Sequence, residues 1–239
     1  MFPILYHSHH SLHQEDLPFW LDLARQQGSP VLELGCGTGR VLGPLLEAGC
    51  DANGLDYDLA MLLFLRRRLQ AAEVFQADMG HFRLAKRFAL ILMPCNTYSS
   101  LSTDTRRLTL LRIAEHLQPG GLFAASLPSP FSLMDLPAHG EPMVEEIFTH
   151  PESGNPVQVS SSWKRSRHSF SLSWHYDHLL PDGTVERLSS QTVHNLLPAQ
   201  DYLQEIEAAG LRIKATYGDF DRSDFNSEAP YLIFIAGKS

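Results

Sequence analysis

The stretch that most constrains this chain is Val31-Leu32-Glu33-Leu34-Gly35-Cys36-Gly37-Thr38-Gly39-Arg40, an apolar run that ends in glycine at every second position. Glycine has no Cβ, so it accepts φ > 0 and lets a ligand lie directly on the backbone, facing the N–H groups of a following helix end. Val31, Leu32 and Leu34 do not alternate with polar residues, which predicts a strand buried on both faces. Glu33 is then a carboxylate held inside an apolar layer. About 20 residues on, where a ribose-reading acid belongs in such folds, Gly54-Leu55-Asp56-Tyr57 closes a second predicted strand.

Composition removes several function classes. A formal net charge of -8 opposes a nucleic-acid partner, because phosphate binding needs a basic face. Cys36, Cys50 and Cys95 are odd in number and lack C-x-x-C spacing, which suits a reducing compartment better than disulfides or zinc, so a cytoplasmic location is expected. No basic and apolar leader opens the chain, and no run approaches the ~18 apolar residues of a membrane span. With 239 residues, one large α/β domain with an elaboration is expected.

In chain order, Tyr6 to His13 carries four histidines, whose spacing fits no standard zinc pattern; no metal is expected, and the stretch reads as a polar entrance segment. Asp16 opens a helix that ends near Gly28, with Phe19 and Trp20 in the core. A crossover helix over 40–48 ends at Gly49, and Asp51 to Asp56 is the second strand. Asp58 caps a helix with Leu62, Leu65 and Leu69 inward and Arg66, Arg67 and Arg68 solvated. Val74–Ala77 and Phe88–Met93 are strands. A helix from Ser102 or Thr103 faces Leu108, Leu111 and Ala114 inward, and Leu122–Leu127 is the fifth strand. Residues 128–156 read as a loop-rich excursion. Between Val157 and Leu196 the period becomes two, with a hairpin turn at Pro181-Asp182-Gly183. A helix from Pro198 to Gly210 and strands Leu211–Tyr217 and Tyr231–Ala236 finish the chain.

The glycine loop with Asp56, followed by Asp78-Met79, Pro94-Cys95-Asn96 and Pro119-Gly120-Gly121, resembles the class I S-adenosylmethionine-dependent methyltransferases, particularly their small-molecule branch. The resemblance implies a doubly wound, Rossmann-like α/β fold with a seven-stranded sheet in the order 3-2-1-4-5-7-6, the last strand antiparallel. It places the cofactor-binding domain at 1–127 and 197–239, with an N-terminal lid segment, and an inserted antiparallel β cap at 128–196. The cofactor would be S-adenosylmethionine and the product S-adenosylhomocysteine. Gly35, Cys36, Gly37 and Gly39 would hold its methionine portion, and Glu33 would orient the loop or meet the ammonium group indirectly. Asp56 and Tyr57 would bind the ribose, and Asp78 with Met79 the adenine. Asn96 and Tyr98 either touch substrate and the sulfonium end or cap the next helix, while Tyr6, His10 and His13 would line the site from the lid.

The strand Ser169–Leu180 sets Phe170, Leu172, Trp174, Tyr176 and His178 on one face, which is expected to be buried. Two readings stay open for that face: it packs onto the main domain, or it caps the site with Tyr176 or His178 contacting the acceptor and His178 as a base. The expected partner is a small molecule, and the chain a monomer or homodimer. A nicotinamide-dependent oxidoreductase would place a small residue where Arg40 stands. The remaining alternative is a non-catalytic module that only binds the cofactor.

Overall fold

A computed structural model describes residues 1–238. Two helices, α1 (Phe2–His10) and α2 (Leu17–Gln27), precede an alternation of β1 (Val31–Leu34), α3 (Leu42–Glu47), β2 (Ala52–Asp56), α4 (Leu59–Arg68), β3 (Glu73–Gln76) and β4 (Phe88–Met93). After β4 come a single turn, α5 (Thr97–Ser100), then α6 (Thr103–His116) and β5 (Leu117–Pro128). The short α7 (Pro130–Asp135) leads to β6 (His139–Thr149), β7 (Pro156–Arg165), β8 (Ser169–Leu179) and β9 (Val185–Asn195). Helix α8 (Ala199–Ala208) and strands β10 (Leu211–Tyr217) and β11 (Tyr231–Lys238) close the chain.

The main sheet runs β10-β11-β5-β4-β1-β2-β3, which is the expected 3-2-1-4-5-7-6 once its strands are numbered within the sheet. The four pairings among β1 to β5 are parallel, and β11 is antiparallel to both β5 and β10. All six residues of β4 are buried, as a central strand covered on both faces requires. Alternation then deals side chains to two cores: Leu32 and Leu34 join Ile91, Phe123 and Ile113 on one side, while Val31 joins Leu90, Trp20 and Leu65 on the other. Asp58 caps α4 by accepting from the Ala60 and Met61 amides, as its position predicts.

The inserted sheet is four antiparallel strands in the order β6-β7-β8-β9. Val157, Val159 and Tyr176 pack on Phe2 and Leu5 of α1, and Phe170 packs with Leu133 and Leu196. At the other end of the sheet, Asn195 Nδ2 donates to the Ser99 and Leu101 carbonyls at 2.9 and 2.8 Å, fastening β9 to the chain that leaves β4.

Three expectations need correction. The entrance segment is a helix, because Phe2 and Leu5 find an apolar partner in the inserted sheet and Pro3 sits where its missing N–H costs nothing. Residues 128–156 are not mainly loop, since they hold α7 and the edge strand β6. The inward stripe of α6 is Arg106, Thr109, Leu110, Ile113 and His116, while Leu111 is 38% exposed. The stripe is shifted because Arg106 can be buried: its guanidinium forks onto Glu205 at 2.7 and 2.9 Å and donates to the Leu101 carbonyl.

Candidate active site

The C-terminal ends of β1 and β4 open onto a small cleft whose floor is the glycine loop, with Asp56 at the end of β2 holding that loop from outside the lining. Gly35, Gly37 and Gly39 have φ of 74°, 50° and 84°, so the loop's path needs residues without a Cβ. A Cβ added at Gly37 would meet no heavy atom within 4 Å, and that open side of the loop is the cradle. The loop is held from below by the Gly35 and Cys36 amides, which donate to the Leu55 carbonyl at 2.8 and 3.1 Å. From the side, Asp56 Oδ2 accepts the Gly37 amide at 2.7 Å while Oδ1 accepts that of Asp58 at 2.9 Å. Burial raises the Asp56 carboxyl, and these two amides pull against it. Each oxygen keeps a further lone pair for a ligand hydroxyl.

Glu33 stands in the floor of the cleft, 2% exposed, with Oε2 lacking any hydrogen-bond partner. Burial drives its carboxyl well above the ordinary range, opposed by the Arg40 charge. Such an atom is costly unless something pairs with it.

Helix α1 covers the cleft and supplies Tyr6 and His10, stacked with ring centroids 3.9 Å apart. The His10 Nδ1–H donates to the Tyr6 carbonyl at 3.1 Å, which leaves Nε2 as the lone-pair nitrogen. Burial and the neighbouring His9 push this imidazole down to about 3, and burial pushes the Tyr6 phenol above its usual range, so both stay neutral. The helix is pinned in place by His7, whose Nδ1 shares a 3.1 Å hydrogen bond with the Thr38 hydroxyl. The turn after it is pinned by Arg40, which forks onto Asp16 at 2.6 Å through both nitrogens and donates to the His13 carbonyl and to Cys95 Sγ.

The structure brings Glu33, Gly35, Cys36, Gly37, Tyr6 and His10 together in one cleft. Asp78 lies just beyond β3, its side chain 47% exposed and accepting the Gly80 amide, while Met79 packs against the core. Tyr57 is 74% exposed. Asn96 follows β4 in left-handed backbone (φ 62°), directly after Cys95 at φ 58°, and its side chain caps nothing. Paired left-handed non-glycine residues are strained and concentrate at functional turns.

The structure does not bring Tyr98 to the cleft: it is fully buried, with its hydroxyl on Glu205 and its ring under Arg106. Nor does it bring His178, whose Nε2 pairs with Ser153 at 2.8 Å and whose ring stacks on His150. Tyr176 stops one layer short, sharing a 3.1 Å hydrogen bond with His9 on the back of α1. Thr38, Arg40, Cys95 and Thr97 line the cleft without having been singled out for it. The signal for the last two was their position after a central strand, since open sheets of this kind bind ligands at that edge.

Comparison with known proteins then decides among the alternatives. A family profile described as a methyltransferase domain matches residues 31–121, the span from β1 through the start of β5. The chain is 27% identical over 82% of its length, and 82% of the relative's, to a dTDP-3-amino-3,4,6-trideoxy-α-D-glucopyranose N,N-dimethyltransferase of Streptomyces venezuelae. The methyltransferase-domain match and this relative support a class I S-adenosylmethionine-dependent methyltransferase. A dTDP-3-amino-3,6-dideoxy-α-D-glucopyranose N,N-dimethyltransferase of Streptomyces fradiae is 25% identical, covering 79% of this chain and 72% of that one. In fold, a S-adenosylmethionine-dependent methyltransferase from Clostridium acetobutylicum superposes with a TM-score of 0.83 at 12% identity, covering 98% of this chain and 99% of that one.

The donor set around the glycine loop suits S-adenosylmethionine, the cofactor these matches support. Glu33 offers an unpaired buried oxygen to a cation, Gly37 an open backbone surface, and Asp56 spare lone pairs to hydroxyls. Among the described residues, no helix is long and apolar enough to cross a membrane.

Proposed function

We propose that this methyltransferase acts on a neutral amine of a small-molecule acceptor, and that an amino sugar is the first class to test. The observation that carries this is the neutral Tyr6–His10 pair over the cleft. Bound cofactor supplies an electrophilic methyl group on a sulfonium, and in-line displacement needs the nucleophile close and aligned. Both side chains on the acceptor side are poor bases for an alcohol: burial pushes the imidazole down to about 3 and keeps the phenol protonated. The nucleophile must bring its own lone pair, which an unprotonated amine does. His10 Nε2 accepts an amine N–H and aims the lone pair, and the Tyr6 hydroxyl completes the hold. A cationic side chain there would repel the sulfonium, so a low imidazole pKa favours cofactor binding too. The activities of the two Streptomyces relatives, both at amino groups of sugars, support the same class.

In this reading Glu33, Gly35, Cys36, Gly37 and Gly39 hold the methionine portion, Asp56 and Tyr57 the ribose, Asp78 and Met79 the adenine, and Asn96 the region of the sulfonium. Residues 128–196 act as a cap through α1, which their sheet carries on its apolar face. Three free thiols accord with a cytoplasmic location, and a cleft lined within one chain serves a monomer or a homodimer equally. The test is a panel of amino sugars, their nucleotide-linked forms, matched alcohols and carboxylates, each incubated with methyl-labelled cofactor. Label on amines alone is expected, and label on hydroxyls alone would overturn the amine assignment.

A further inference from the structure

The far side of α1 carries polar groups that methyl transfer does not use. We propose that His9, His13 and Glu146 form a site for a divalent transition metal such as Zn2+, which fastens the lid helix to the inserted sheet. One ring nitrogen from each histidine and one Glu146 carboxylate oxygen lie within 4.8 Å of one another. His9 and His13 are four residues apart as the chain turns out of α1, and their rings are 5.7 Å apart. His9 is 2% exposed, and its Nδ1 meets the Tyr176 hydroxyl at 3.1 Å, the kind of outer partner that orients a ligating imidazole. Its Nε2 faces acid, with Glu145 Oε2 at 3.5 Å.

Glu146 Oε2 supplies an independent sign. It is buried and has no hydrogen-bond partner, a cost that a cation beside it would offset. The register between β6 and β7 shifts between Val144 and Glu146, and this bulge lets two acids adjacent in sequence both approach α1, where a regular strand would turn one away. The histidine spacing alone fits no zinc pattern because the third ligand comes from this bulge, remote in sequence. Two imidazoles and a carboxylate suit Zn2+, Co2+ or Ni2+ rather than Mg2+ or Ca2+, which prefer all-oxygen shells. Three protein ligands leave a further position for water. Because α1 also covers the glycine loop, a bound metal would slow cofactor release.

The test uses the full chain, stripped with chelator and titrated with Co2+ followed by visible absorption, with Zn2+ as competitor. His13 is exposed and Glu146 partly so, which makes His13→Ala and Glu146→Gln compatible with folding, checked by circular dichroism. One equivalent should bind to the parent, about 10-fold or more weakly to each variant, in the range for lost metal-site residues, and not to the double variant. Absence of a one-equivalent site in the parent, or equal affinity in parent and His13→Ala, would overturn the proposal. The second outcome would assign any binding to other histidines.

Discussion

Replacing Glu33 by glutamine should move stability and cofactor affinity in opposite directions. In the cofactor-free protein its carboxyl is raised well above the ordinary 4.5 by burial, so above that pH the folded chain keeps a proton that the unfolded chain releases. Where the native state binds more protons, stability falls as pH rises, and the fall ends at the folded-state pKa. A neutral amide of nearly the same shape removes this dependence. The expected gain at pH 8 is on the order of 1–2 kcal/mol, the proton-linkage cost that the amide does not carry. For a chain of this size that is about 2–8 °C in melting temperature. The gain should shrink as pH falls and vanish below about 4.5, where both states carry the proton.

Cofactor binding reverses the sign. The methionine end of the cofactor carries an ammonium group, and Glu33 is the acid in the floor of the cleft with a free oxygen to meet it. Losing a charge-assisted partner costs about 1.5–3 kcal/mol, or about 10- to 150-fold in Kd. Melting curves from pH 5 to 8.5 without ligand test the first half, and calorimetry with S-adenosylhomocysteine at pH 8 tests the second. In the parent, binding should also release a proton, visible as a dependence of the heat on the buffer. A variant with a lowered melting temperature and parental affinity would refute the argument and leave Glu33 a structural group only.

Asp56→Ala removes the acceptor of the Gly37 and Asp58 amides as well as the proposed ribose contact. Affinity for S-adenosylhomocysteine should drop by about 1–3 kcal/mol, and a folded variant that binds like the parent would take Asp56 out of the site. Tyr6→Phe should slow methyl transfer about 10-fold, the effect of one hydrogen bond of about 1.4 kcal/mol, while cofactor affinity holds. Parental turnover of an accepted amine would show that the hydroxyl does not touch it. Glu205→Ala strands a guanidinium with 0% exposure and should cost about 3–5 kcal/mol. Because the Glu205 side chain is 22% exposed and water can replace it in part, the lower end is expected in urea unfolding; a loss under about 1 kcal/mol would mean that solvent already compensates Arg106.

The main sheet was legible because its signals are local. Unalternated apolar strands, the Asp58 cap and the glycine after α3 each fix one element without reference to distant chain. What escaped depends on tertiary partners. Strand β6 is exposed along both faces for most of its length, so no period marks it, and Pro142 lies where its register against β7 shifts, as suits an edge strand. The inward face of α6 was misplaced because a buried arginine reads as surface until Glu205 is known to reach it from α8. The N-terminal helix has little amphipathic pattern of its own and exists where the inserted sheet receives Phe2 and Leu5.

The candidate site divides the same way. Its cofactor half rests on backbone requirements that glycines and a strand-end acid declare in one dimension. Its acceptor half is assembled from layers. Tyr176 lies on the strand and face expected to approach the acceptor, yet α1 intervenes, and Tyr176 meets His9 while His10 and Tyr6 line the cleft. A helix turns successive side chains about 100° apart, so neighbours in Tyr6-His7-Ser8-His9-His10 can face the cleft, the glycine loop and the inserted sheet in turn. Trp174 packs edge-on against His10 at 5.6 Å, so in the proposed reading the sheet backs the residue that meets the acceptor and does not meet it itself. Changes to Trp174 or Tyr176 should therefore act on the acceptor by shifting α1, altering the rate for every amine together. Changes at Tyr6, His10 or the Cys95–Thr97 turn should instead alter which amine is chosen.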